Sequence, residues 1–453
     1  MNKYLKKTKI IATLGPASSD KEVILQLIQA GADVFRINFS HADYDLVSRN
    51  VQMIRELNQE YGFSVGILGD LQGPKLRVGV VKEGSYLNPG DILTFTNEKI
   101  EGDSKMVYMT YQKFPQDVKA GERILIDDGK LVLEVLETNN IDTVRAKTIQ
   151  GGPLSSKKGV NLPNTNVSLP ALTEKDIEDA NFMLDLELDW IALSFVRHAQ
   201  DIIDLKEIMK NHPTNKHKTP IIAKIEKPEG VKNIEEILQE CDGLMVARGD
   251  LGVEVPMEEV PAIQKNLVEI ARKHSKPVII ATQMMETMIT SLTPTRAEVN
   301  DVANSVLDGA DAVMLSGETS VGRYPVDVVK NMSKIVKNIE QTHFYQTKNS
   351  PIEREFNCID ERFITNRVCL AAVRIAKSTN VEAIITLTYS GYTAFQISAH
   401  RPNSNIIVFS SNKRVLTMLN LLWGVRAYYY DMQKSTDETI VQVNMLAHTH
   451  GFV

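Results

Sequence analysis

The chain has 453 residues, 43% of them hydrophobic, more than one core usually serves, which predicts two or three domains. Its 51 basic and 57 acidic residues are interspersed and leave a net charge of −6, which argues against a nucleic-acid partner or an anionic membrane surface. No apolar run approaches the roughly 18 residues of a membrane-crossing helix, and the cluster Lys3, Lys6, Lys7 and Lys9 lacks the apolar stretch of a signal peptide. Cys241, Cys358 and Cys369 are few, odd in number and without metal-ligand spacing, which fits buried thiols and a cytoplasmic location.

In chain order, KTKIIATLG from Lys7 and DVFRINFSH from Asp33 are short apolar runs, ending on Thr13 and on Arg36, Asn38 and Ser40. Each precedes a segment with apolar residues three and four apart, and Gly31 and Gly62 stand at the predicted helix stops. VGILGDL from Val65 ends on Asp70. The rhythm then changes: LNPGD, ERILIDDGKLVLEVLE and GGPLSSKKGVNLP are short β-like pieces with turn signals, and Asp128-Gly129 predicts a hairpin. These pieces predict an inserted all-β domain, placed as a lid over the active face, with Lys157 and Lys158 at its exit. Five further runs follow, WIALSFV, PIIAKIEKP, GLMVARGD, PVIIATQ and AVMLSGE, ending on Ser194, Lys224 with Glu226, Arg248 with Asp250, Thr282, and Ser316. Continuous apolar runs alternating with amphipathic helices describe a parallel sheet, and eight such units over about 250 residues describe an α/β protein built on a (β/α)₈ TIM barrel.

After Ser350 a smaller α/β unit is expected, from RFITNRVCLAAVRIAKSTN to a last helix beginning at STDETIVQ. Its segment TYSGYT, with Thr388, Ser390, Gly391 and Thr393 between a strand and a helix, is a candidate phosphate cradle; ordinary helix capping is the equal alternative. The expected division is residues 1–74 and 172–345 for the barrel, 75–171 for the insert and 346–453 for the C-terminal unit.

The polar endings carry the chemistry, because active sites of such barrels lie at the C-terminal ends of the strands. Lys224 and Glu226, two apart on one strand, face the same side. Glu226 and Asp250, from adjacent strands, are suited to share a divalent cation such as Mg²⁺, and a Lys beside that cation calls for an anionic substrate between them. Gly249 permits close backbone approach, a short helix opening at Asp250 would present amides to a carboxylate, and Arg36 is suited to clamp a phosphate. The bland alternative for Arg248 and Asp250 is a surface ion pair. No GxxxxGK[ST] segment is present, so a P-loop is not expected and any nucleotide must be bound by other means.

In order and spacing, KTKIIATLGPAS, FRINFSH, GDLQGPKLR, KKGVNLP, AKIEKPEG, VARGDLGVE, ATQMMETM and DGADAVMLSGETSVGRYP resemble the motif series of the pyruvate kinase family. The resemblance implies transfer of the phosphoryl group of phosphoenolpyruvate to ADP, with Mg²⁺ or Mn²⁺ on Glu226 and Asp250. By motif position Lys224 and Arg36 would serve the phosphoryl group, and Gly249, Asp250 and Thr282 the carboxylate. Thr282 and Ser316 would lie on the proton path, and Asn38, His41, Arg77 and Lys158 on the nucleotide side. It also implies a homo-oligomer, a homotetramer.

Two departures from the family pattern stand out. Where K⁺-dependent members carry Thr, Lys and Glu, this chain has Leu71, Gln72 and Lys75, so the K⁺ site of Asn38, Ser40, Asp70 and the Leu71 carbonyl is expected to be dispensable. The family usually continues past the last helix with two more strands, so a C-terminal sheet of three strands and weak or absent effector binding at Thr388–Thr393 are expected. Competing expectations are a barrel aldolase or lyase, which would lack the inserted domain, and a non-catalytic remnant.

Overall fold

The computed structural model describes residues 6–213, 218–348, 361–431, 435–449 and 451, although of the side chains of His41 and residues 346–348 nothing is described; Cys358 lies outside these ranges. Eight parallel strands form a closed barrel: β1 (Lys9–Thr13), β2 (Val34–Asn38), β3 (Gly66–Asp70), β4 (Trp190–Leu193), β5 (Ile221–Ile225), β6 (Gly243–Ala247), β7 (Val278–Ala281) and β8 (Ala312–Leu315). Each pairs with its neighbours in sequence, and β1 pairs with β8 to close the ring, Lys9 standing opposite Ala312. All eight predicted runs are these strands, and helices flank them, among them Lys21–Ala30, Tyr44–Tyr61, Glu174–Asp185 and Val260–Lys273. Gly31 and Gly62 end the first two helices at φ 122° and 68°, positive values that glycine adopts without steric cost.

Strand periodicity places the site. Ile10 and Ala12 point outward into the core beneath the helices, while Ile11 joins Val34, Leu68, Trp190, Ala192, Ile222, Met245, Ile279, Ala312 and Met314 in the barrel interior. Because side chains alternate, the next inward positions up six of the strands are Thr13, Arg36, Asp70, Ser194, Lys224 and Ser316, and up β6 and β7 they are Ala247 and Ala281. The polar residues therefore sit as a layer on top of a dry apolar plug, at the C-terminal mouth.

The insert has its own buried cluster, running from Leu76 to Leu162. A six-stranded mixed sheet carries it, in the order Val160–Asn161, Arg123–Ile126, Leu131–Thr138, Thr143–Gln150, Ile92–Thr96 and Met106–Tyr108. The expected hairpin joins Arg123–Ile126 to Leu131–Thr138, with Asp127, Asp128 and Gly129 at φ 54°, 55° and 84°.

The C-terminal unit is a parallel sheet, Ala383–Leu387, Asn405–Ser410 and Val425–Tyr429, with three strands among the described residues. It covers the other end of the barrel. Lys9, inward-facing at the bottom of β1, donates to the Val425 carbonyl at 2.8 Å, and the Trp190 indole donates to the Met418 carbonyl at 3.0 Å. Arg401 and Asp311 form a buried ion pair at 2.7 Å across the same junction.

Candidate active site

The mouth is organised around one ammonium group. Lys224 Nζ lies 3.0 Å from Asp70 Oδ1, 3.0 Å from Glu226 Oε1 and donates to Ser194 Oγ at 2.6 Å. Ser194 in turn donates to the Leu71 carbonyl at 2.7 Å. Asp70, fully buried, takes Arg36 Nε on its other oxygen at 2.6 Å, and the same guanidinium reaches Thr13 Oγ1 at 3.2 Å. Five of the eight strands thus meet in a single charged network, two cations against two carboxylates.

Burial alone would lower the Lys224 pKa, but Asp70 and then Glu226 outweigh it and raise it, so the ammonium stays charged at every physiological pH. Burial raises the Asp70 pKa, yet Lys224 and Arg36 outweigh that and hold it below the usual carboxylate range. Glu226 goes the other way: burial pushes its carboxyl up to about 7 against the pull of Lys224, and the Asp250 charge adds to the rise. Glu226 and Asp250 stand close enough for their charges to repel, and two such carboxylates fit Mg²⁺ or Mn²⁺. Among the described residues no group of three or more His, Cys, Asp or Glu is arranged to hold a metal ion, so substrate oxygens and water would have to complete the shell.

Asp250 is carried by the short helix Arg248–Glu254 after β6, which opens two residues before the expected start at Asp250. Its Gly249 amide donates to Thr282 Oγ1 at 2.7 Å, and that hydroxyl donates to the Ala281 carbonyl at 2.6 Å. A Cβ at Gly249 would come within 3.2 Å of the Thr282 hydroxyl, so the absence of a side chain is what allows this approach. Thr282 and Gln283 hold left-handed backbone at φ 68° and 53°, and Phe195 does so at 55°. Arg248 does not pair with Asp250. It forms a two-pronged pair with Asp301 at 2.7 and 2.8 Å and donates to the Thr282 carbonyl at 2.8 Å.

Other expected residues stand apart from this network. Ser316 is at the top of β8, its amide on the Glu318 carboxylate at 2.6 Å. Asn38 caps the turn Phe39–His41 by accepting from the Ser40 amide at 3.1 Å, and the His41 side chain lies outside what is described. Arg77 and Lys158 belong to the insert, where Lys158 pairs with Asp127 at 2.9 Å and Arg77 donates to the Lys157 carbonyl at 3.0 Å. Thr388, Ser390 and Gly391 lie in the loop after the strand Ala383–Leu387 and Thr393 in the following helix; the Thr388 hydroxyl accepts from the Gly391 amide at 3.0 Å and Gly391 caps the helix Tyr392–Ala399.

Several residues at the mouth carried no expectation. Asn161, in the quoted KKGVNLP, donates to the buried Glu254 carboxylate at 2.8 Å, and Lys227, in AKIEKPEG, meets the same oxygen at 2.6 Å. Arg197 binds the carbonyls of Val167 and Leu169 on the chain leaving the insert. The insert is therefore closed onto the barrel. A cavity of about 40 Å³ remains between them, lined by Lys75, Asn161, Phe195, Arg197, Lys227 and Asp250.

Comparison with known proteins adds independent findings. A family model described as pyruvate kinase, barrel domain, matches residues 5–329, and one described as pyruvate kinase, alpha/beta domain, matches residues 366–453. The chain is 44% identical to pyruvate kinase 2 of Synechocystis over 98% of this chain and 74% of that protein. It is 43% identical to the pyruvate kinase of Corynebacterium efficiens over 97% and 90%. A crystal structure of a pyruvate kinase from Cryptosporidium parvum superposes with a TM-score of 0.92 at 35% identity, over 99% of this chain and 92% of that one.

Proposed function

The chain belongs to the pyruvate kinase family, and on that premise we propose that its barrel mouth transfers the phosphoryl group of phosphoenolpyruvate to ADP, giving pyruvate and ATP. The observation that carries the assignment of roles is Lys224, an ammonium held 3.0 Å from each of two buried carboxylates at the mouth. A phosphoryl group in transfer spreads negative charge over its equatorial oxygens, and fixed cations stabilise it without reorganising. Lys224 and Arg36 supply two such cations from rigid strands, Asp70 holding both in place. Mg²⁺ or Mn²⁺ on Glu226 and Asp250 would supply further positive charge and a template for substrate oxygens.

The carboxylate end of the substrate is assigned to Asp250, Gly249 and Thr282, the last two already in register through their 2.7 Å bond. The enolpyruvate left after transfer needs a proton on carbon, and the hydroxyls of Thr282 and Ser316 are the candidates for that path. Asn38, His41, Arg77 and Lys158 are assigned to the nucleotide. Closure of the insert, taken as a lid domain over residues 75–171 between barrel segments 1–74 and 172–345, excludes water from the transfer; residues 346–453 form the C-terminal domain. Among the described residues no helix is long and apolar enough to cross a membrane. A cytoplasmic homo-oligomer is the setting we propose.

We further assign the enzyme to K⁺-independent catalysis. Asp70 already has two cationic partners, Ser194 Oγ occupies the Leu71 carbonyl, and Lys75 lines the lid cavity together with Asp250. Production of pyruvate, followed with lactate dehydrogenase and NADH, tests the function: turnover requiring both phosphoenolpyruvate and ADP is expected, and its absence in folded wild-type protein would refute it. Repeating the assay in tetramethylammonium buffer tests the ion dependence. A rise of about tenfold or more on adding K⁺ would overturn it.

A further inference from the structure

Closure of the lid is held by a small set of contacts that end on the elements bearing the two metal-binding carboxylates. Asn161 lies on the lid strand Val160–Asn161, paired antiparallel to Arg123–Ile126, and its amide donates to Glu254 Oε1 at 2.8 Å. Lys227 meets that same oxygen at 2.6 Å, while Glu254 Oε2 is buried with no hydrogen-bond partner among the described residues. Glu254 ends the helix that begins at Arg248 and carries Asp250. The second contact is Arg197, whose guanidinium takes the carbonyls of Val167 and Leu169. Two residues before it, the Phe195 amide donates to Glu226 Oε2 at 2.9 Å.

We propose that Asn161, Glu254 and Lys227, with Arg197 as a second clasp, form a latch that couples lid closure to the positioning of Asp250 and Glu226. Glu254 is a buried carboxylate with two donors on one oxygen and none on the other. Opening the lid removes Asn161, one of the two, and a charged acceptor that loses a partner inside protein is destabilised strongly. The closed lid is therefore favoured from beneath, and the loss of Asn161 is felt at the far end of the helix that presents Asp250. These are positioning residues; none touches the reacting atoms. The inference rests on the proposed function for its kinetic consequence but not for its structural one.

The test uses the full chain with Asn161→Ala and Asn161→Asp, the second placing a carboxylate against Glu254. Hydrogen exchange of the amides in 160–169 should quicken about tenfold in Asn161→Ala and more in Asn161→Asp. Exchange in the lid strands Leu131–Thr138 and Thr143–Gln150 should stay unchanged, which a general loss of lid stability would not produce. In the pyruvate assay kcat should fall about tenfold and the Mg²⁺ half-saturation should rise. Wild-type exchange of the amides in 160–169 in both variants would overturn the latch whatever the activity, and faster exchange with unchanged kcat and Mg²⁺ dependence would overturn its coupling to the carboxylates. Wild-type turnover is measured alongside; its absence would count against the proposed function, and the exchange data would still decide the latch.

Discussion

Replacing Lys224 by Met removes the charge at the centre of the mouth while keeping an unbranched side chain of similar length. Asp70 retains Arg36 at 2.6 Å, so its charge remains compensated. Glu226 keeps only the Phe195 amide at 2.9 Å and still faces Asp250. Breaking a buried pair typically costs about 3–5 kcal/mol, which Glu226 reduces by taking up a proton. Its carboxyl, at about 7 with Lys224 beside it, moves higher when the ammonium is gone. Two results are expected. Loss of one preorganised charge on the transferring group lowers kcat by about 10²–10³-fold, and the Mg²⁺ half-saturation, nearly flat above pH 8 in wild type, keeps improving with pH in the variant. The pyruvate-coupled assay between pH 6.5 and 9, with folding checked by circular dichroism, measures both. A folded variant that loses less than about threefold in kcat, or whose Mg²⁺ dependence follows the wild-type pH curve, would refute the placement of Lys224.

Glu226 also makes the unliganded wild type pH-sensitive. Its folded pKa of about 7 stands above the ordinary glutamate value of 4.5, so the native state binds more protons between these values and stability falls as pH rises from 4.5 to 7, by about 3 kcal/mol from this group. Saturating Mg²⁺ should flatten that part of the curve, and denaturant titrations at pH 5, 6, 7 and 8 with and without the ion measure it; a native state that gains stability from Glu226 ionising, seen as a steeper fall in Glu226→Gln, would contradict it. Gly249→Ala should lower kcat/KM for phosphoenolpyruvate by about tenfold with little change in melting temperature, because the new methyl group displaces the Thr282 hydroxyl at 3.2 Å; unchanged kinetics would show that this approach is not needed. Arg401→Met should destabilise the junction of barrel and C-terminal sheet by about 3–5 kcal/mol by leaving the buried Asp311 without its cation; double substitution with Asp311→Asn should recover part of the loss, and thermal unfolding decides.

Much of this protein is legible along the chain. The eight barrel strands, the glycine stops at Gly31 and Gly62 and the Asp128-Gly129 hairpin follow from apolar continuity, helical period and turn chemistry, which are local properties. Even the layer of Thr13, Arg36, Asp70, Ser194 and Lys224 follows, since a period of two fixes which residues face the barrel axis. What the chain does not disclose is pairing between distant segments. Asp70 reads alike as a metal ligand or as a charge partner until β2, β3 and β5 are brought side by side, and only then is it the anion that holds both Arg36 and Lys224. Asn161 and Glu254 are 93 residues apart, and Arg401 and Asp311 are 90 apart; neither pair has a local signature. Buried charges lose their hydration whatever their place in the sequence, and the partner that replaces it is chosen by three-dimensional proximity. Local sequence thus determined the scaffold and the inventory of reactive groups, and tertiary structure decided which charge compensates which, and with it the pKa of Glu226 and the closure of the lid.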